Sequence, residues 1–260
     1  MTLPSVPESF YWTESLCGPV LRCRPLEDVA AHLFTTRELR LSAADDWRRA
    51  GDLLGVAEVV RLNQVHGREV VTSRRGSPRA AAAQDADVLV SDDLDVAIAV
   101  RAADCVPLLL ADSRIGVVAA VHAGWRGTAA GAAPAAVKAL AREFGTKPED
   151  LVAAIGPCIG ACCYEVGTEL VDAFAAAGHP RHLIDRWFQA PPPPRGSRER
   201  PKLRLDVGSA NRDQLILAGV PEESIHACGL CTAMHLDVLT SYRAEREKAG
   251  RMAGIIRARG

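Results

Sequence analysis

The stretch Arg101–Gly127, RAADCVPLLLADSRIGVVAAVHAGWRG, decides how the rest of the chain is read. It divides into two apolar runs, Cys105–Ala111 and Ile115–Val121, around the polar triplet Asp112-Ser113-Arg114, the pattern of a β-hairpin. With Ser113 and Arg114 as the central turn residues, facing positions sum to 227 and Cys105 lies opposite His122. Opposed side chains of an antiparallel pair hold their Cβ atoms ~5 Å apart on one face. A thiolate and an imidazole at that separation can grip one metal ion, with bonds of about 2.3 and 2.0 Å. A slip of one residue would send the two to opposite faces, and Gly116 could host a bulge that causes it.

Working outward, Asp87–Ser91 and Asp95–Arg101 read as short strands, and Ala57–Val65 as a strand that delivers His66 in NQVHG. Ala31–Arg37 is a strand ending in a polar loop. Ser42 caps a helix to about Leu54, stopped by Gly55. Arg74–Gln84, rich in Arg, Ala, Gly and Pro, is a loop expected to be mobile. On the other side, Thr128 caps a helix running to about Phe144 with Gly145 as its stop, and Leu151–Ile155 is a strand. GPCIGACCYEVG (156–167) is a glycine-rich loop leading into a helix from Thr168 to Ala177. Residues 178–202 form a surface excursion, because four consecutive prolines exclude regular pairing. Asp206 opens a helix ended by Gly219, Ile225–Cys228 is a strand, and RMAGII (251–256) is a last strand. Strands and helices alternate irregularly, which predicts an α+β fold with mixed sheets and outer helices, in one domain over 1–260.

Composition narrows the function classes. A chain of 260 residues buries roughly 70–75% of its unfolded surface. The net charge of −1 offers no long-range positive field, so neither nucleic acid nor an acidic membrane is an expected partner. Lysine occurs only at 138, 147, 202 and 248, so arginine carries the positive charge. The start, MTLPSVPESFYW, has no basic and apolar leader pattern, and no apolar run nears the ~20 residues of a membrane span. Eight cysteines are too sparse for a disulfide scaffold, which points to a reducing cytoplasm.

Three positions stand out for chemistry. His66, Cys105 and His122 offer three protein ligands, and three with an open fourth position is the pattern of a catalytic zinc. Read blandly, each is an ordinary loop or core residue. HAGWRG can place backbone N–H groups of Gly124 and its neighbours, with Arg126, around an anion; equally it can be a tight turn with Trp125 packed inward and Arg126 solvated. Cys158, Cys162 and Cys163, with the CxxC pair Cys228 and Cys231, are either a structural zinc site or buried thiols. His32, His179, His182, His226 and His235 read as surface or core histidines. SYRAER and KAGRMAG supply Tyr242, Arg243 and Arg251, as a solvated helix or as substrate contacts.

FTTR (34–37), NQVHG (63–67), DADVLVSD (85–92), AADCVPLLL (102–110), HAGWRGT (122–128), IGPCIG (155–160), YEVG (164–167), CT (231–232), SYR (241–243) and GRMAGII (250–256) follow one another in this order. Together they strongly resemble the YfiH family, which also carries the labels laccase-like multicopper polyphenol oxidoreductase and peptidoglycan editing factor. The likeness runs from about 33 to 257. It implies a layered α/β/β/α domain similar to the catalytic domain of cytotoxic necrotising factor toxins. It also implies one zinc held by the histidine of NQVHG, the cysteine of ADC and the first histidine of HAGWRG, here His66, Cys105 and His122.

The activity implied is on purine nucleosides: phosphorolysis of adenosine, inosine and methylthioadenosine, and deamination of adenosine. Zinc would polarise an oxygen of phosphate or water. Phosphate would lie between the open zinc position, the amides around Gly124, and Arg126 or Arg37, with Arg243 nearby. Asn63, Asp104 and Tyr164 are unranked donors to the departing purine. Two segments depart from the family pattern and bear on substrate preference: Glu38-Leu39-Arg40 after FTTR, and Ala244–Lys248 after SYR, where glycines are usual.

Copper chemistry of the laccase type is not expected. Four coppers need many histidines, partly as His-x-His pairs, whereas the chain has seven histidines and no such pair. A blue-copper centre wants a nearby methionine, and Met1, Met234 and Met252 are all distant in sequence. Two further readings stay open: a metal-free cysteine hydrolase or deamidase with Cys105 as nucleophile and His122 as base, and a metal-stabilised partner protein that edits cell-wall precursors. Either a monomer or a small homo-oligomer fits the sequence.

Overall fold

The computed structural model describes residues 2–77, 84–190 and 202–259. In chain order its strands begin with β1 (Phe10–Thr13), β2 (Val20–Cys23), β3 (Ala31–Phe34), β4 (Glu58–Val60) and β5 (Val70–Ser73). Then follow β6 (Val88–Ser91), β7 (Val96–Ala102), β8 (Val106–Asp112), β9 (Val118–Ala123) and β10 (Leu151–Ile155). The last are β11 (Glu165–Val166), β12 (Phe188–Gln189), β13 (Leu203–Leu205), β14 (Ile225–Ala227) and β15 (Met252–Arg257). One sheet runs β1-β2-β3-β15-β7-β4 and a second β14-β10-β8-β9-β6-β5, with a small third sheet β11-β13-β12. Both large sheets are mixed, since β4 pairs with β7 and β5 with β6 in parallel while their other neighbours are mostly antiparallel.

The layers follow from side-chain alternation with period two. Along β7, Val96, Ile98 and Val100 face the space between the large sheets, where they meet Leu109, Val118 and Ala120 of the second sheet. Ala97 and Ala99 face the other way, onto Trp47, Ala50 and Leu54 of the helix Ala44–Asp52 and its end. Along β8, Val106, Leu108 and Leu110 turn outward onto the helix Ala132–Phe144 and its neighbours. Helix, sheet, sheet and helix are therefore stacked in the order expected, and the uninterrupted apolar runs of β8 and β9 reflect burial on both faces.

The hairpin forms, but in a different register. Pro107 faces His122 and Val106 faces Ala123, so the pairing is shifted by two residues from a two-residue turn. The cause is a longer loop, Ser113–Gly116: Asp112 accepts from the amides of Arg114 and Ile115 at 2.8 and 3.1 Å, and Gly116 bonds back to the Asp112 carbonyl at 3.0 Å. Gly116 takes φ +72°, where a Cβ would collide with the Arg259 carbonyl. A shift of two preserves parity, so Cys105 and His122 still share a face, diagonally rather than directly opposed.

Other boundaries move for equally local reasons. The helix expected from Thr128 starts at Trp125 and breaks at Gly131 (φ +83°) before resuming at Ala132. Thr128 thus lies inside a helix, its hydroxyl accepting from Asn211 Nδ2 at 2.9 Å. The strand expected over 57–65 is confined to β4, and the chain then runs irregularly to His66. Within 178–202 the helix Arg181–Trp187 and β12 replace part of the expected excursion; its four prolines, like part of the 74–84 loop, lie outside the described residues. No helix of the described residues is long and apolar enough to cross a membrane.

Candidate functional site

The site is assembled where the chain crosses between the sheets. Cys105 sits on the link from β7 in the first sheet to β8 in the second, His122 lies in β9, and His66 in the loop after β4. Gln64 zips that loop to β7: its amide donates to the Arg101 carbonyl and accepts from the Arg101 amide, both at 2.8 Å. The fully buried Asp87 does the rest. Its carboxylate accepts from the amides of Val65, His66 and Gly67 at 3.2, 3.0 and 2.6 Å and from His122 Nδ1 at 2.7 Å. Burial alone would raise the Asp87 carboxyl, but the bonds from His122, Gly67 and His66 prevail and hold it below the usual range.

Because a carboxylate only accepts, His122 carries a proton on Nδ1 and turns Nε2 toward Cys105. The ligating atoms of His66, Cys105 and His122 all lie within 4.8 Å of one another, and the two imidazoles meet edge to face with centroids 4.9 Å apart. Burial pushes the Cys105 thiol up, yet hydrogen bonds and charge from His122 and His66 bring it down to about 6. His122, lowered by burial but raised by Asp87 and Cys105, moves up to about 9. A thiolate beside an imidazolium is the metal-free state that follows.

Gly124 closes the floor. A Cβ there would meet Cys105 Sγ at 2.7 Å and His66 Cδ2 at 3.2 Å, so the close approach requires glycine. These donors fit zinc: two imidazole nitrogens and one sulfur, already converging, with a carboxylate behind one histidine to fix its tautomer.

The cluster opens into a cavity of about 700 Å³, within the roughly 300–1,000 Å³ of small-ligand sites. Arg101, Arg243, Arg246 and Arg251 line it beside Trp125, Tyr164 and Tyr242. The Arg243 guanidinium lies 5.1 Å over the Tyr164 ring and donates to the Glu165 carbonyl at 2.8 Å. Asp104 also borders the cavity, but its carboxylate accepts from Thr232 Oγ1 at 2.5 Å and from the Arg243 amide at 2.6 Å, so it positions rather than donates. The described non-glycine residues at positive φ are Leu41, His66, Asp104 and Arg246, and the last three all line this cavity. Backbone strain of that kind persists where surrounding contacts enforce it, and it concentrates at functional sites.

Of the residues singled out in the sequence, the structure gathers His66, Cys105, His122, Gly124, Tyr164 and Arg243 around one cavity. Three more do not line it, although the charge of Arg126 reaches Tyr164. Asn63 is exposed and donates to Asp85 Oδ1 at 2.6 Å. Arg37 pairs with Glu245 at 2.9 Å and bonds carbonyls of the 236–239 segment. Arg126 is exposed and stacks 4.6 Å over Trp125. Asp87, Gln64 and Arg101 escaped the sequence reading, whereas Arg246 lies in the Ala244–Lys248 segment tied there to substrate preference. Only Asp87 left a trace there, as an acid directly before the wholly apolar Val88-Leu89-Val90, where burial demands a partner.

Residues 34–259 match the profile of the family described as multi-copper polyphenol oxidoreductase laccase, the YfiH family. The chain belongs to this family. Its YfiH relatives include a purine nucleoside phosphorylase of Deinococcus radiodurans, 34% identical over 258 residues that cover 92% of both chains. A purine nucleoside phosphorylase of Bacteroides thetaiotaomicron is 36% identical over 171 residues, covering 65% of this chain and 60% of that protein. Among solved structures, the Bacillus licheniformis hypothetical protein YfiH superposes with a TM-score of 0.83 at 27% identity, covering 95% of this chain and 99% of its own. Copper appears in the family's description. In this YfiH chain, the described residues form two groups able to hold a metal, the His66–Cys105–His122 cluster and a trio of cysteines.

Proposed function

We propose that the chain is a zinc-dependent purine nucleoside phosphorylase, with His66, Cys105 and His122 as the metal ligands. The observation that carries this reading is an open two-imidazole, one-sulfur cluster at the floor of a cavity lined by four arginines and three aromatic rings. Zinc held there supplies Lewis-acid polarisation of a substrate oxygen. The arginines supply the forked donors that phosphate oxygens need. Arg37, paired with Glu245, and Arg126, stacked on Trp125, do not line that cavity. Trp125, Tyr164 and Tyr242 offer flat apolar faces for a purine. Phosphate attack at the ribose anomeric carbon breaks the bond to the base, which leaves with an electron pair and needs a proton. Burial, and then the charge of Cys105, push the Tyr164 hydroxyl up to about 12, so it stays protonated at neutral pH and can donate to the departing purine. Deamination of adenosine belongs to the same reading. The cytoplasm supplies the nucleosides and phosphate that this activity requires.

Incubation with adenosine should yield adenine and ribose 1-phosphate only when phosphate is present, while inosine reports deamination. Tyr164→Phe should lower kcat by about tenfold or more, the typical worth of a positioned proton donor being roughly 10²–10⁴. A second reading has its own support: Asp87, His122 and Cys105 form a carboxylate–imidazole–thiolate relay of the cysteine-hydrolase kind. Turnover that survives chelation but dies on Cys105 alkylation would establish it. No nucleoside turnover with zinc bound would leave the cell-wall partner role.

A further inference from the structure

A second cluster of donors has no part in the chemistry above. Cys162, Cys163 and Cys231 bring their sulfur atoms within 4.8 Å of one another, and none is in a disulfide. The fold builds this trio from two segments. The turn at Gly160, whose carbonyl accepts from the amides of Cys163 and Tyr164 at 3.0 Å, presents the adjacent cysteines. The 228–232 segment lies alongside, joined through Cys158 N to the Leu230 carbonyl at 3.2 Å and Thr232 N to the Cys158 carbonyl at 3.0 Å. The Gly160 amide donates to Cys231 Sγ at 3.2 Å, the kind of bond that steadies a thiolate. A Cβ on Gly160 would press within 3.3 Å of Cys162 Sγ, so glycine keeps the space among the sulfurs clear.

We propose that Cys162, Cys163 and Cys231 form a second metal site that takes one thiophilic d10 cation, Zn²⁺ or Cu⁺, and ties down one wall of the cavity. Thiolates select these soft cations over calcium or magnesium. Each thiol that ligates releases its proton to solvent, up to three per ion. Burial, then the bonds to Cys231 and Cys163, push Cys162 up to about 12, so it is a thiol at neutral pH. A bound cation offsets the burial that opposes its ionisation.

The consequence reaches the first site through short links. Ile159 and Tyr164, from the same loop, line the cavity. Thr232, next to Cys231, bonds Asp104, the neighbour of Cys105. An ion on the trio therefore stiffens the wall that carries Tyr164.

The test uses the full chain, reduced and stripped of metal, titrated anaerobically with Zn²⁺ against a chromophoric chelator and, in a separate arm, with Cu⁺ against its own chelator. A Cys105→Ser background removes the first site from the count and keeps failure there separate from failure here. The Cys105→Ser protein should bind one ion in at least one arm, and Cys105→Ser/Cys162→Ser/Cys163→Ser none. No tight ion in either arm with Cys105→Ser, or an ion retained by the triple variant, overturns the proposal. A second readout needs no further substitution. In the Cys105→Ser protein, saturating cation should slow alkylation of Cys162 and Cys163 at least tenfold by peptide mass mapping, and unchanged labelling overturns the proposal.

Discussion

Asp87 holds His122 by its ring and His66 by its backbone, so one carboxylate orients two of the three proposed ligands. Groups behind a metal ligand typically contribute 10–100-fold in affinity. Asp87→Asn keeps the shape, but its neutral amide is a weaker acceptor and its NH2 must face a backbone donor. Zinc affinity should fall about 10–100-fold in a chelator competition, an arithmetic of about 1.4 kcal/mol per decade. Gly124→Ala tests the floor of the site, because the added methyl occupies space within 2.7 Å of the Cys105 sulfur. In a Cys162→Ser/Cys163→Ser background it should abolish tight zinc binding while leaving the circular dichroism spectrum unchanged. The acidity of Cys105 gives a third check on the metal-free protein. A thiol brought down to about 6 is mostly thiolate at pH 7, whereas one near its ordinary value of 9 is not. Alkylation of Cys105 should therefore rise with pH to a half-maximum near 6, and His122→Ala should move that midpoint upward. A midpoint unchanged by His122→Ala would sink the account.

Short elements around the cavity hang from a few side chains rather than from long ladders. The one-turn helix Tyr242–Glu245 is held at its start by Asp104, through the Arg243 amide, and at its end by Glu245, which bonds Thr240, Ser241 and Arg37. Asp104→Ala releases Arg243 and frees a residue held at φ +87°. In nucleoside assays the KM for phosphate should rise about tenfold or more with a smaller change in kcat, since a positioning contact of this size is worth roughly 1.5–3 kcal/mol. This element also shows what sequence makes legible. Alternation and apolar runs located β6 to β10 because burial writes itself in hydrophobicity. The strand pairing was misjudged by two residues because loop length depends on Asp112 capping its own turn, a local bond invisible to periodicity. The convergence of His66, Cys105 and His122 was legible through family motifs and hairpin parity. Arg101 was not, because an arginine in a cavity and one in solvent have the same sequence pattern.

At the scale of the whole molecule, the proposed ligands straddle two sheets. His66 follows a strand of the first, His122 belongs to the second, and Cys105 occupies the crossing between them. The sheets otherwise meet through an apolar layer in which Leu109 packs with Phe34 and Ile98. Leu109→Ala should cost about 2–5 kcal/mol in urea unfolding, with the slope unchanged, as a cavity between the sheets. An ion bridging the same two layers acts as a clasp independent of that packing. A ligand that binds only the folded state stabilises by about 2.7 kcal/mol at one hundred times its Kd. For a chain of this size, each kcal/mol shifts Tm by roughly 2–4 °C. Zinc at that excess should raise the melting temperature of stripped Cys162→Ser/Cys163→Ser protein by roughly 5–10 °C, with the cysteine trio out of play. The further substitution His66→Ala should erase most of that rise, whereas Leu109→Ala should lower both melting temperatures and leave the difference intact. A zinc-induced rise that persists without His66 would mean the ion grips only one sheet, and the clasp would have to be sought among other donors.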